Sequence, residues 1–471
     1  MDRLQLDWSQ FDAERYRGHE EQDILSILPP NGFLREWVYY GIAVSDGHAA
    51  YHAMNALTLL SVATPPSVHL PDGDRLPANF FAMVVGPSQE SRKSFSVRAA
   101  RQVLASIKGG SNFLMGTPGS GEWLVDEVIA QPRVLITIEE GANFFGLTSS
   151  KGDAGYLDKL RARLVEMSDS VIQQRGTVEK ARSSRIKGKP EKDAREEAKK
   201  IEMNPRVSMI VAIAPPFLED FTLIHDWTGG FVPRYCLCYA ERRRHYPRSA
   251  RVYADWELSL SAHLARLLAV EAGVGPCTGF TMDANAYWDW WVANRVPQKP
   301  PEKARSLVER SYVHARKAAL IAAYDEHMLP YVYDVDGRNS ATKELPWAVQ
   351  THHVAFGCAV AEIHIASGLR LVATIAETPD RRLMHRIQRY LAEHGQVGRH
   401  EIYKLLGLDS LRTDRLIKTL EAMHEVATTS DHGFEEVMPY CHDHWLRDRG
   451  LGPAAQQPSG NVVDLPTRTR R

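Results

Sequence analysis

Residues 80–107 read FFAMVV-GPSQESRKS-FSVRAARQVLASI, and the fold turns on how this stretch is parsed. The apolar run ending at Val85 has the length and composition of a buried strand, and helical spacing resumes through Val97, Ala100, Val103, Leu104 and Ile107. Between them lies a loop of small residues closed by Lys93–Ser94. Strand, small-residue loop, Lys–Ser and helix is the context a phosphate-binding loop requires. Amide N–H groups of such a loop converge on phosphate oxygens, and the helix N-terminus adds favourable partial charge. Gly86, Pro87, Ser88, Ser91, Arg92, Lys93 and Ser94 are therefore the candidate nucleotide contacts. Lys93 would reach the terminal phosphates, and the Ser94 hydroxyl would ligate Mg²⁺. The loop is one residue longer than G-x-x-x-x-G-K-[ST], and Ser91–Arg92 replaces the second glycine. Gly116–Trp123 (GTPGSGEW) matches the glycine spacing better, but Glu122 holds the lysine position and would repel phosphate; it reads as a turn opening a helix over Glu122–Ala130.

Downstream, RVLITIEEGANFF places Glu139–Glu140 at the end of a β-branched strand, 46 positions after Lys93 (139 − 93). A carboxylate pair there suits a metal shell (Glu139) and the polarisation of an attacking water (Glu140). Phosphoryl transfer also calls for a mobile cation. Arg234, after a Gly-Gly hinge in WTGGFVPRYCLCY, is the first candidate for a finger reaching a neighbouring subunit; Arg206, before VSMIVAIA, is the second. Arg316 in HARKAALIAAYDE would sense the γ-phosphate from a helix. Strands at 82–85, 134–138, 207–214 and 235–239 alternating with helical patterns predict an α/β sheet.

The 471-residue chain divides, on this reading, into a polar leader (1–45), an ATPase core (46–250) with a charged insertion (173–200), a helical domain (251–380), a winged-helix-like domain (381–445) and a disordered tail (446–471). Within the leading part of the core, 48–63 has helical spacing through Tyr51, Met54, Leu57 and Leu60. Net charge is −1, so any basic binding surface must be local. The start of the chain has no apolar signal-like run, and no stretch is expected to reach the roughly 18 apolar residues of a membrane span. Of five cysteines, Cys236 and Cys238 sit two apart in a strand and point to one face as core; a reducing cytoplasm follows. Cys441, His442 and His444, and likewise His352–His353, are too few and too local for a zinc site. The YWDWW run at 287–291 reads as helix core.

The segments ANFFAMVVGPSQESRKS, VLITIEEGANFF, VSMIVAIAPPFL and GGFVPRY, in this order, resemble a large family of P-loop ATPases of phages, plasmids and integrated elements. That family is often described as the helicase part of primase-helicases, and the resemblance spans roughly residues 45–375. It implies a RecA- or AAA-like core, ATP and Mg²⁺ as cofactors, and a ring of copies, such as a hexamer, acting on single-stranded or forked DNA during mobile-element replication. It further implies Lys93 and Ser94 on nucleotide, Glu139 and Glu140 on metal and water, and Arg234 as the finger. Two positions depart from the pattern: 207–214 runs into Pro215–Pro216 without a polar sensor, and the first acid is Glu rather than Asp.

Beyond the core, 381–426 predicts a winged helix-turn-helix. Leu383, Ile387, Tyr390 and Leu391 mark its first helix, Arg399–Leu406 its second, and a third follows an Asp409 or Ser410 cap with Leu411, Leu416, Leu420 and Met423 inward. Arg412, Arg415 and Lys418 would face DNA. The insertion's Arg175, Lys180, Arg182, Arg185, Lys187 and Lys189 offer a pore loop or a solvated one. The resulting expectation is an ATP-hydrolysing motor on DNA. The alternative is a DNA-binding initiator, regulator or defence protein in which ATP is a switch and turnover is slight.

Overall fold

The computed structural model describes residues 22–71, 75–88, 91–149, 154–169, 205–222, 224–240, 254–270, 273–334, 343–373, 379–423, 425–431 and 434–439. The 173–200 insertion, the 446–471 tail, the first 21 residues, and Cys441, His442 and His444 lie outside them. The chain forms two compact units, Met1–Glu377 and Thr378–Arg471.

The first unit runs α1 (Gln22–Ser26), α2 (Phe33–Val44), α3 (Ala49–Ala63), β1 (Phe81–Val85), α4 (Lys93–Ser106), β2 (Leu114–Met115), α5 (Gly121–Ala130), β3 (Arg133–Ile138), α6 (Gly141–Ser149), α7 (Ala154–Ser168), β4 (Arg206–Ile213), α8 (Pro215–Phe221), α9 (Ile224–Thr228), β5 (Cys236–Tyr239), α10 (Ala254–Leu268), β6 (Cys277–Phe280), α11 (Met282–Asn294), α12 (Arg305–Val332), β7 (Trp347–Val349) and α13 (Thr351–Val372). Its central sheet has the order β2-β3-β4-β1-β5 with every pairing parallel. The predicted strands are thus all present, and Leu114–Met115 adds an edge that two residues could not announce.

Strand alternation divides the core into two layers. Ala82, Val84, Leu135, Ile210, Ala212, Cys236 and Cys238 point to one face, where α3 and α4 pack. Phe81, Met83, Val85, Ile136, Met209, Val211 and Leu237 point to the other, against α5, α6, α7, α8 and α9. The two cysteines share a face as their spacing predicted. The connection leaving β1 is α4, on the first face, whereas the connection leaving its neighbour β4 begins with α8, on the second. Adjacent strands whose connections part to opposite faces open a crevice at their carboxyl ends. The loop after Val85 lies there.

Every residue of α3 is buried, so the one-sided stripe expected for it understates its position. It lies between the sheet and α2, α10 and α12. Within the expected 1–45 leader, the described α2 is corrected in the same way: Phe33, Leu34, Trp37, Val38 and Ile42 are buried in the core with α3, because their spacing makes an apolar stripe despite the charged flanks.

Nor is 251–380 a separate domain, since α10 to α13 belong to the first unit. The physical reason is at β5, an edge strand with unpaired backbone donors. His364 Nδ1 accepts from the Leu237 N–H (3.0 Å) and Ser367 Oγ from the Tyr239 N–H (2.9 Å), so α13 covers the edge in place of another strand. Gly357 permits α13 to lie close on α12, since a Cβ there would sit 2.2 Å from the Ala315 carbonyl oxygen. Contrary to expectation, Thr351–Val372 is long and apolar enough to cross a membrane, the one such helix among the described residues. Its buried His364 and Ser367 are engaged with the sheet, and it packs as a core helix.

The second unit contains α14 (Pro379–His394), β8 (Val397–Gly398), α15 (Arg399–Leu406), α16 (Ser410–Ala422), β9 (Val426–Asp431) and β10 (Phe434–Pro439), with the antiparallel order β8-β10-β9. Asp409 caps α16 through the Arg412 N–H at 2.8 Å, and Gly407 ends α15 in the left-handed conformation. The inward face of α16 is Thr413, Leu416, Ile417 and Leu420. Leu411 and Met423, expected inside, are 73% and 46% exposed: Leu411 lies off the face that repeats every three to four residues, and Met423 is the C-cap just past the last helical turn.

Candidate functional site

The crevice at the carboxyl ends of β1, β3 and β4 holds the Gly86–Ser94 loop. Its entry is fixed from below by α3. The Tyr51 hydroxyl donates to the Val85 carbonyl (2.5 Å) and accepts from the Ala240 N–H (3.2 Å), and burial pushes this phenol far above its usual range. Asn55 Nδ2 donates to the Ser96 carbonyl in the first turns of α4. Gly86 donates to the Ile213 carbonyl at 3.2 Å, tying the loop to the end of β4. A Cβ on Gly86 would meet Ser91 Oγ and Tyr51 OH at 2.6 Å and the Ala240 carbonyl at 2.7 Å, so only glycine fits.

Ser91, in place of a second glycine, is fully buried, and its hydroxyl donates to the Pro87 carbonyl (2.9 Å). Arg92 carries the left-handed conformation (φ 54°) that a glycine would adopt without cost, and pairs with Asp46 at 3.1 Å. Lys93 is buried, with its ammonium donating to the Pro87 carbonyl at 3.2 Å, and burial lowers its pKa. The first turn of α4 contains no acidic residue, and no side chain caps its N-terminus. Cation and helix terminus thus stand together at the carboxyl end of β1. The competing glycine segment is what its Glu122 implied: a Ser120-capped helix start.

Ser94 Oγ donates to the Glu139 backbone carbonyl at 3.3 Å, which brings the ends of β1 and β3 together across β4. The Glu139 carboxylate, however, turns to α4, where Arg98 (2.9 Å) and Arg101 (3.4 Å) hold it. Glu140 accepts from Asn143 Nδ2 at 3.0 Å. Sequence reading missed Tyr51, Asn55, Asp46, Arg98, Arg101 and Asn143. For the two arginines a signal exists: they stand four and seven residues after Ser94, on one helix face.

The remaining cations are not brought to this loop. Arg234 precedes β5, at the amino edge of the sheet, about 15 Å of strand away from the crevice. Its guanidinium donates to Asp169 (2.9 and 3.2 Å) and to the Gly230 carbonyl (2.8 Å), and its side chain is 15% exposed. A reach into its own chain's crevice is excluded. Arg206 is buried at the start of β4, donating to the Pro66 carbonyl at 2.7 Å, and burial lowers its pKa to about 10; it is no finger. The turn of α12 that carries Arg316 is anchored at the amino edge, through His314 to Pro233 and Lys317 to Asn79, so a γ-phosphate sensor there finds no support. In the second unit Arg415 and Lys418 are exposed, while Arg412 pairs with Asp380 at 2.9 Å.

Elsewhere, Glu326 joins His352 and His353 as a third metal-ligating type, its carboxylate 2.7 and 2.6 Å from their Nε2 atoms. His353 Nδ1 accepts from the Gln350 N–H at 3.1 Å, so its Nε2 carries the proton and donates to Glu326. That tautomer withholds the lone pair a cation needs. The trio is a hydrogen-bonded clamp between α12 and α13. Trp291 of the YWDWW helix is buried, whereas Trp290 is exposed.

No family model matches the chain, and a search of curated proteins also finds no match.

Proposed function

We propose that the chain is a P-loop ATPase of RecA- or AAA-like build, working as an oligomeric, helicase-like motor on DNA in phage or mobile-element replication. The observation that carries this reading is Lys93, a buried ammonium at the β1–α4 loop with a carbonyl as its hydrogen-bond partner and no acid in its helix turn. Burying such a charge is costly unless an anion completes it. Support comes from the carboxyl-end crevice and from the acids ending β3, with β4 between that strand and β1.

ATP fits this donor set, with Lys93 and the leading amides of α4 on its phosphates. Ser94 and Glu139 would hold Mg²⁺, which when bound neutralises charge on the phosphate oxygens. Glu140 would take the proton of the attacking water, and Asn143 orients its carboxylate. Arg234 serves only from a second copy, which makes assembly a condition of turnover. In the second unit, the order helix–strand–helix–helix–strand–strand supports a winged helix-turn-helix, with Arg415 and Lys418 on the DNA side of α16 and Arg412 beside them.

One observation favours the switch reading. Glu139 serves a metal only after leaving Arg98 and Arg101, and a site resting in that state hydrolyses slowly. The deciding experiment measures ATP binding and turnover, with and without single-stranded DNA, for the natural chain and for Lys93→Ala. Turnover raised by the strand and lost with Lys93→Ala is the motor's signature. Tight duplex binding with negligible turnover identifies the switch. Undiminished ATP binding by Lys93→Ala would refute both.

A further inference from the structure

At the amino edge of the sheet, between α12 and the segment leading into β5, lies a small recess lined by Phe81, Asp169, Arg234, Arg310, His314 and Lys317. We propose that this recess is a second anion site, taking a tetrahedral oxyanion of the phosphate or sulfate class on Arg310, Arg234 and Lys317. The inference stands on this cation cluster and is independent of the nucleotide reading of the Gly86–Ser94 loop.

The charges of the described residues lining the recess do not balance. Asp169 is the sole carboxylate among its described lining residues. Both of its oxygens already accept from Arg310 (2.8 and 3.2 Å), and one of them also from Arg234 (2.9 and 3.2 Å). Burial alone would raise this carboxyl, but Arg310 and then Arg234 hold it below its usual value. One negative charge is therefore shared by two guanidinium groups.

Lys317 is 5% exposed, and its ammonium donates to Asn79 Oδ1 and the Ser168 carbonyl, each at 2.8 Å. Neither acceptor is charged. The groups facing it are Asp169 at the end of α7, Arg234 before β5, Arg206 of β4, and Arg310 and His314 of its own helix. Burial, with His364 next to it, keeps His314 neutral, and its Nε2 donates to the Pro233 carbonyl. The recess thus carries an excess of positive charge against low-dielectric walls, which focuses potential on an entering anion.

Donors also remain. A guanidinium offers five N–H groups. Arg234 spends three, on Asp169 and Gly230, and Arg310 two, so two and three are left. Planar forks of this kind suit tetrahedral oxyanions. Burial brings Lys317 down to about 7, so near neutral pH its charge awaits an anion to stabilise it.

The test uses the full chain carrying Lys93→Ala, which removes the loop's own cation, titrated calorimetrically with sulfate, whose charge is constant from pH 6 to pH 8.5. Saturable one-to-one binding is expected, weakened about tenfold by Arg310→Gln and by Lys317→Met. Affinity should fall as pH rises through about 7, where Lys317 loses its proton, and Lys317→Met should flatten that dependence. Should Lys317→Met fold poorly, Arg310→Gln, at a side chain 24% exposed, carries the comparison. Inorganic phosphate and ATP form the second arm. Equal binding points to a free oxyanion, and tighter ATP binding to a nucleotide's terminal phosphoryl group. Absence of saturable sulfate binding, or binding unmoved by both substitutions, overturns the proposal. Loss of ATP binding by Lys93→Ala with sulfate binding retained separates the fate of this site from that of the loop.

Discussion

The two edges of the central sheet treat charge in opposite ways. At the carboxyl edge Lys93 sits buried with the Pro87 carbonyl as its hydrogen-bond partner, and the nearby acids are turned to surface partners. At the amino edge Asp169 is gripped from two sides, and Asn79, Ser168 and Lys317 are bonded into one lattice. The first edge is built from consecutive residues at strand ends and keeps a cation available. The second joins residues 79, 169, 234, 310 and 317 and locks α12 and α7 onto the sheet. Loss of a charge at the open site should cost little stability, whereas loss of the one carboxylate shared by two guanidinium groups should cost much. Substitution at each edge distinguishes the two.

The largest effect is expected for Asp169→Asn. An asparagine keeps one acceptor oxygen but presents an amide N–H to a guanidinium, and it removes the charge shared by Arg234 and Arg310. Breaking a buried pair costs about 3–5 kcal/mol, and because Asp169 is a third exposed we expect about 2–3 kcal/mol in urea unfolding. A loss under about 0.5 kcal/mol, the level of an ordinary surface change, would show the amino edge to be no more locked than the surface.

Next comes Gly86→Ala. The added methyl meets Tyr51 OH, Ser91 Oγ and a backbone carbonyl, two of them on rigid buried groups. Overpacking of this kind costs about 1–3 kcal/mol, and thermal unfolding should register it. The carboxyl edge would then be open in charge while rigid in shape. An unchanged Tm would mean the loop yields, and its preformed shape would have to be abandoned.

This contrast explains what the sequence made legible. The carboxyl edge follows from strand–loop–helix order and from acids ending a β-branched run, all local signals, so Lys93, Ser94, Glu139 and Glu140 were all found near the ends of β1 and β3. Side-chain direction was not legible: nothing in IEEG tells that Glu139 faces Arg98 while Glu140 faces Asn143. The amino edge was hidden, because Lys317 in ARKAAL resembles any helix-surface lysine until Asn79 and Ser168 are brought beside it. Arg234 was noticed for its glycine hinge, but its partner lies 65 residues away. The same distance problem split 251–380 from the core, since the edge of β5 is completed by His364 and Ser367, over a hundred residues downstream.

The smallest effect on stability is expected for Glu139→Gln. Its partners Arg98 and Arg101 are more than half exposed, and pairs of that kind contribute below about 1 kcal/mol. Urea unfolding should therefore barely shift, the opposite of Asp169→Asn. The informative comparison is with the double substitution Arg98→Met and Arg101→Met, which releases the same carboxylate without removing it. If the arginines restrain Glu139 from a metal, the double variant should raise Mg²⁺-dependent ATP turnover while Glu139→Gln lowers it. Equal losses in both would mean that the arginines position the acid. A carboxyl edge where neither change alters turnover would leave Glu139 a surface ion pair, and Glu140 as the acid to examine.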